Sequence, residues 1–590
     1  GSEMCIRDSG RVEPNVGLIL NDIRIGVPTQ ESREAASERS TITERLGLSS
    51  SAPRELIRID QIVVVANADL QKLIDKENPI VTNRIIINGV HANAWLDETG
   101  AISLEKLWPL PKFGKTACPR VEVRNAKISI ENDSPDARPI EVDLAEAVIL
   151  KHAGSLGSGE SPVKSNAKAT GVSDQSLPTC TSTITASGTA SFADRFAVHV
   201  TGRGDQSEVK AEIRRAKFSS DLIDRLPMPY RGKLQSLRGL ELLADTSAIL
   251  RIQPGKPINF ASRSKIHNGS FFHPKSSMPV KEIRGVLTCN PEGARLESCQ
   301  AFWGSARLKL DGSTVGYSQP IRASLDVSAF NVMLDQRLAA IIPKRLEAGW
   351  TKLQPHGLID VPKAHFEIAG DQIQTDAEVT CKGVDLNYDK FPYPVRQMTG
   401  SLSFREHRVR SDLLSGRIGG RLMQCLFDLP TKPGSLEERV FSVAMDGPIA
   451  IDGELLQALS PRGAETTKLE EFIRSLNPLG AIHLVRGTIR TDADGSKHQD
   501  LELKVSDGSL RFEKFPYPLY NVAGDIRVND HWVQLTGFQG SNANGGLIRC
   551  EGDYRIPPPE NEIRSNRQNN GPLLELDFDA TRIALDEALR

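Results

Sequence analysis

The chain has 590 residues, too many for one compact core, so several domains or an extended array are expected. Its 73 basic and 75 acidic residues nearly cancel, which leaves no electrostatic case for a nucleic-acid partner; 39% hydrophobic and 25% charged residues is an ordinary globular composition. No uninterrupted apolar run approaches the roughly 20 residues that cross a bilayer as a helix. The longest candidate, Ile62-Val63-Val64-Val65-Ala66, has strand length.

Residues 1–10 open with Ser2-Glu3-Met4-Cys5-Ile6-Arg7-Asp8-Ser9, which reads as a translated sequencing adapter and is set aside as an artefact. On that reading the frame was cut there, and the lack of a signal peptide or anchor helix carries no information. Residues 11–150 predict a β-rich N-terminal domain: Arg84 to Val90 leads to Ala94 to Gly100, and Arg120 to Glu131 reads as Val-x-Val then Ile-x-Ile. Residues 151–185 are rich in Ser, Thr, Gly and Ala and predict a disordered surface loop.

From there the chain repeats itself. Lys390-Phe391-Pro392-Tyr393-Pro394 recurs as Lys514-Phe515-Pro516-Tyr517-Pro518, 124 residues on. Each copy reaches a glycine six residues past its last proline, Gly400 and Gly524, and a looser copy places Gly285 six residues past Pro279. An upstream glycine precedes each proline by 40, 37 and 38 residues (239 to 279, 357 to 394, 480 to 518), so a fixed number of strands is expected between the landmarks. Three units follow, at 186–330, 331–446 and 447–582, with 583–590 opening a truncated fourth.

Within the units the pattern is strand-like. Leu501, Leu503 and Val505 alternate with polar residues, and Asp507-Gly508 predicts a turn before Leu510 and Phe512. Ala377, Val379 and Cys381, a Lys382-Gly383 turn, then Val384 and Leu386 match it. Leu402 and Phe404 precede a Glu406-His407 turn; Ile526 and Val528 precede Asn529-Asp530. Gly304, Gly419-Gly420 and Gly545-Gly546 predict bulges or close backbone approach. Short helices are expected at Leu222–Leu226, Leu334–Ile342, Leu455–Leu459, Leu469–Ile473 and Ala584–Leu589. The proline phrase itself predicts a rigid strand entry, since proline fixes φ and lacks a donor.

Chemistry-bearing motifs are sparse. The cysteines show no CxxC spacing, and a turn at Asn290-Pro291-Glu292-Gly293 would place Cys299 opposite Gly285, too far from Cys289 to bridge. The histidines are scattered and none forms HExxH; Gly416 to Gly420 lacks the Gly-Lys-Ser/Thr of a phosphate loop. Gly159-Glu160-Ser161 lacks a nucleophile elbow. No catalytic residue, metal ligand or cofactor is assigned.

These residues resemble the AsmA-like family of Gram-negative envelope proteins, which is related to bridge-like lipid transfer proteins. The resemblance rests on the Ile-x-Ile-x-Gly strand at 85–89, the turn Thr99-Gly100-Ala101-Ile102-Ser103-Leu104, a hairpin from Val121 to Ile130, and the repeating order of proline phrase, Gly-x-Leu, turn and glycine pair. It covers most of residues 11–590 apart from 151–185. It implies an all-β fold with short inter-unit helices, whose repeated units curl into an apolar groove. It further implies a periplasmic protein anchored in the inner membrane, with phospholipid or another acyl lipid as partner; the anchor helix of the family is missing here.

A lipid groove needs a continuous apolar lining, because each exposed methylene costs about 0.8 kcal/mol in water. The candidates for it are Leu402, Phe404, Leu503, Val505, Leu510, Phe512, Ile526 and Val528. Alternation records that a face is buried and not what buries it, so the same residues also suit the core of a closed sandwich or a face covered by helices. Three functional readings follow: a non-enzymatic lipid carrier supporting phospholipid transport or outer-membrane homeostasis, a periplasmic scaffold or assembly modulator, and a carbohydrate-active β-solenoid enzyme.

Overall fold

The computed structural model describes residues 3–6, 11–13, 17–27, 54–68, 80–95, 119–131, 138–152, 181–555 and 574–583, save 204–205, 227–230, 233, 254, 319, 343, 371, 406, 432–434, 436 and 531. Two compact units result, Gly1–His273 with Val280–Cys299 and Ser313–Tyr317, and Pro274–Pro279 with Gln300–Gly312 and Ser318–Arg590. The N-terminal signature Thr99–Leu104, the polar stretch 153–180 and the terminal helix Ala584–Leu589 lie outside the described residues.

The first unit is built from β1 (Glu3–Ile6), β2 (Arg11–Glu13), β3 (Gly17–Val27), β4 (Arg54–Ala68), β5 (Ile80–Trp95) and β6 (Arg120–Glu131). It continues through β7 (Ile140–His152), β8 (Thr181–Ala190), β9 (Ala193–Arg203), β10 (Gln206–Phe218), helix α1 (Ser220–Arg225), β11 (Leu240–Ile252), β12 (Asn259–Phe271) and β13 (Val280–Asn290). The segment set aside at the N-terminus contributes β1, which pairs with β3. Pairing is antiparallel except that β5 and β6 run parallel. The expected hairpin at Val121–Ile130 is instead one strand, within which Asn125 takes φ 52°. Strands β7 and β8 also reach into the stretch read as a loop, at Lys151–His152 and Thr181–Thr185.

Strands β14 (Gly293–Trp303) and β15 (Ala306–Val315) are divided between the units. The second unit continues with β16 (Arg322–Leu334), α2 (Gln336–Ala339), α3 (Lys344–Leu353), β17 (Gly357–Ala369), β18 (Gln372–Tyr388), β19 (Phe391–Arg405), β20 (Arg408–Ser411) and β21 (Leu414–Ile418). Next come β22 (Arg421–Pro430), β23 (Arg439–Met445), β24 (Ile449–Ala450), α4 (Gly453–Gln457) and α5 (Lys468–Ser475). The last strands are β25 (Leu479–Thr491), β26 (Lys497–Phe512), β27 (Phe515–Asn529), β28 (Trp532–Ser541), β29 (Leu547–Arg555) and β30 (Leu574–Thr581). The all-β repeat with short helices expected from the sequence is the fold adopted.

Several turns and bulges exchange places relative to expectation. Asp507-Gly508 and Lys382-Gly383 are not turns: β26 and β18 run through them as single strands, with Asp507 at φ 51° and Gly383 at φ 85° marking register shifts. The hairpin turns lie at Glu513-Lys514 and Asp389-Lys390, where each Lys-Phe-Pro-Tyr-Pro phrase begins its strand. Conversely, Gly419-Gly420 is no bulge. It is a two-residue hairpin turn with φ 53° and 82°, the left-handed pair such turns require. Gly304 and Gly545-Gly546 likewise occupy turns. Helix α3 was not expected; α2 was, and Asp335 caps its N-terminus.

Because successive strands alternate in direction, the proline phrases, glycine turns and helices α2–α5 share one edge of the second unit. The residue before each last proline clasps a glycine turn there. Tyr393 Oη lies 3.1 Å from where a Gly419 Cβ would stand, and Met278 is 3.0 Å from the equivalent point at Gly304. Tyr517 accepts a 2.7 Å hydrogen bond from Asn542 Nδ2, and Asn542 Oδ1 in turn accepts from the Gly546 amide. Both tyrosines are buried while Phe391 and Phe515 are exposed, so the phrase is an anchor for the edge. The main buried cluster also lies toward this edge, where Cys381, Val384, Met398, Leu414 and Cys425 meet Leu338 of α2, Trp350 of α3 and Leu455 of α4.

Candidate functional site: the apolar face of the second unit

Directly paired residues in an antiparallel ladder share a face, so the register gives the face composition strand by strand. One row runs Leu484, Leu503, Ile526, Leu535, Gly552, Leu576 across β25 to β30. A second runs Leu414, Cys425, Val443, Gly487, Leu501, Val528, Val533, Tyr554, Leu574 from β21 to β30. Val505 pairs with Ile482 and Gly524, Leu510 with Leu519, and Phe512 with Phe515. Leu402 pairs with Val379, and Phe404 with Ala377 and Val409.

The candidates therefore stand largely on ladders of apolar neighbours, Leu402 facing Ser411 on its β20 side, and Leu503, Val505, Ile526 and Val528 form one contiguous patch. None of the eight is fully buried; all are half-buried. Leu402 alone among them packs against the helix-edge cluster. The sequence reading missed Leu484, Leu501, Val533, Leu535 and Leu576 as members of the rows. The signal was present in Leu574-x-Leu576-x-Phe578, which alternates strictly; Leu574 is 54% and Phe578 66% exposed.

Repeated glycines let side chains of the next strand lie flat across the ladder. A Cβ at Gly524 would sit 2.5 Å from the Phe538 ring, one at Gly400 2.8 Å from Leu414, and one at Gly285 2.9 Å from Cys299. The landmark six residues past the proline is thus the spot where a neighbouring residue crosses the backbone. The position of Cys299 opposite Gly285 agrees with the sequence expectation, and Cys289, Cys299, Cys381, Cys425 and Cys550 form no disulfide.

The reverse face is charged. Glu502 lies between Arg486 (3.0 Å) and its ladder partner Arg527, Asp500 is 3.5 Å from Arg527, and Arg405 reaches Glu378 at 2.8 Å. His365 is bracketed by Asp326 at 2.8 Å and Glu367 at 3.1 Å, and the hydrogen bond to Asp326, followed by that to Glu367, raises its pKa. On the other face burial lifts the Cys381 thiol and pushes that of Cys425 up to about 11. Among the described residues no group of three or more His, Cys, Asp or Glu is placed to hold a metal ion. No described helix is long and apolar enough to cross a membrane.

Fold and face together define a repeat of antiparallel β-units with one apolar and one charged face. Comparison with protein-family models and with curated proteins gives no match.

Proposed function

We propose that the protein is a non-enzymatic lipid carrier of the Gram-negative cell envelope, of the AsmA-like type, that takes acyl chains along the apolar face of its repeat. The observation that carries this reading is the half-burial of the eight candidates. A closed sandwich would bury them as completely as Leu414 or Val384, whereas these rows keep apolar surface open to a ligand while the reverse face is lined by charged side chains. Acyl chains would partition onto the rows and slide between them, each methylene gaining up to about 0.8 kcal/mol, with no covalent step and no cofactor. The reading extends to phospholipid transport or outer-membrane homeostasis, in the periplasm and tethered to the inner membrane.

Native mass spectrometry of the purified chain tests the binding step, with co-purified phospholipid as the expected result. A lipid-free protein that also fails to extract labelled phospholipid from vesicles refutes it. That outcome would favour a scaffold, for which the clasped helix edge is the supporting feature.

A further inference from the structure

The charged face of the second unit carries one feature the lipid reading does not use. Trp532, the first residue of β28, is 47% exposed among polar neighbours. Its ladder partners are Asn529 on one side and Arg555 on the other, and the next row is Arg527, Gln534, Asp553. The Arg555 guanidinium stacks over the indole with its carbon 4.7 Å from the ring centroid, which fixes the ring orientation before any ligand arrives. Arg527, Asn529, Asp530, Trp532, Gln534 and Asp553 line an open depression of about 670 Å³, within the roughly 300–1,000 Å³ of small-molecule sites. Among the described residues the side chains of Asn529, Gln534 and Asp553 have no hydrogen-bond partner, so two amides and a carboxylate are available.

The chemistry of this lining narrows the ligand. Among the described lining residues the one apolar side chain is the indole, which gives an acyl chain or an apolar peptide anchor little to bury against. The carboxylates Asp530 and Asp553 oppose a phosphate backbone. A pyranose ring suits the site, since one face of C–H bonds stacks on an aromatic plane while its rim of hydroxyls both donates and accepts. We propose that this depression is a saccharide-binding site, with Trp532 as the stacking platform and Asn529, Gln534 and Asp553 as hydroxyl partners. It lies on the opposite face from the lipid rows and is independent of them.

The test is titration of the whole chain with soluble tetrasaccharides of glucose (α- and β-linked), mannose and N-acetylglucosamine, read by calorimetry and indole fluorescence. Saturable binding of at least one is expected. Trp532→Ala should weaken it about tenfold or more, Trp532→Phe distinctly less, and Gln534→Ala should weaken it with an unchanged melting curve. The proposal is overturned if no sugar binds by about 10 mM, or if Trp532→Ala binds as well as the parent. Binding is read directly, so the result is interpretable whether or not the protein carries lipid, and vesicle transfer by Trp532→Ala should equal that of the parent.

Discussion

Placing a charge in the middle of the apolar rows separates an open lining from a closed core. Leu503 is half-buried and pairs with Leu484 and Ile526. Full burial of a leucine is worth about 1.5–3 kcal/mol; Leu503 is only partly covered, so Leu503→Glu loses less than the full amount, and the carboxylate can remain in water. Fold stability should therefore fall by about 1–2 kcal/mol. Lipid binding should fall further. Neighbouring strands lie about 4.8 Å apart, a span of about four methylenes, and losing two to four of their contacts removes roughly 1.5–3 kcal/mol, ten- to hundredfold in affinity. Vesicle-to-vesicle transfer of fluorescent phospholipid, measured beside a thermal melt, reads both effects. If the variant unfolds, as burying an unpaired charge in a closed core would cause, the open-face reasoning fails. If transfer is untouched in a folded variant, the rows do not carry lipid.

The two phrase tyrosines should behave differently when their hydroxyls are removed. Tyr517→Phe leaves the buried Asn542 amide unpaired and should cost about 1–3 kcal/mol in denaturation, whereas Tyr393, without a hydrogen-bond partner among the described residues, should tolerate Phe within about 0.5 kcal/mol. Glu470 is held in α5 by the Ser460 hydroxyl and by Arg474 at 2.7 Å, and the Ser460 hydrogen bond first, then Arg474, lowers its pKa. A lowered folded pKa gives stability that is present above the unfolded value near 4.3 and is lost as pH falls through the folded one. Glu470→Gln should thus reduce the melting temperature at pH 7 and remove part of its decline below about pH 4.5, and equal pH profiles would count against the network. Among the described cysteines, Cys425 and Cys381 should resist iodoacetamide in the native protein at pH 8 while the half-buried Cys289 is modified first, as mapped by peptide mass.

The period-two alternation of Leu501, Leu503 and Val505 against Asp500, Glu502 and Lys504 was enough to assign strands, a face of each kind and an all-β class, because side-chain direction along a strand is a local property. Recurrence of the proline phrase was enough to give the repeat and, through constant spacing, a fixed number of strands between its landmarks, though not where those strands turn. What local pattern could not resolve is whether a glycine-containing pair ends a strand or bends it. Asp507-Gly508 and Gly419-Gly420 look equally turn-like, and only the neighbouring strand, pairing on through the first and folding back at the second, distinguishes a bulge from a hairpin. The direction of β6 against β5 is likewise a matter of pairing partners. Most consequential is coverage. Leu414 and Leu503 are both leucines on apolar rows, yet one is buried beside helix-edge residues and the other is half open. That difference depends on which distant residues arrive over each face, and no alternation within a strand encodes it.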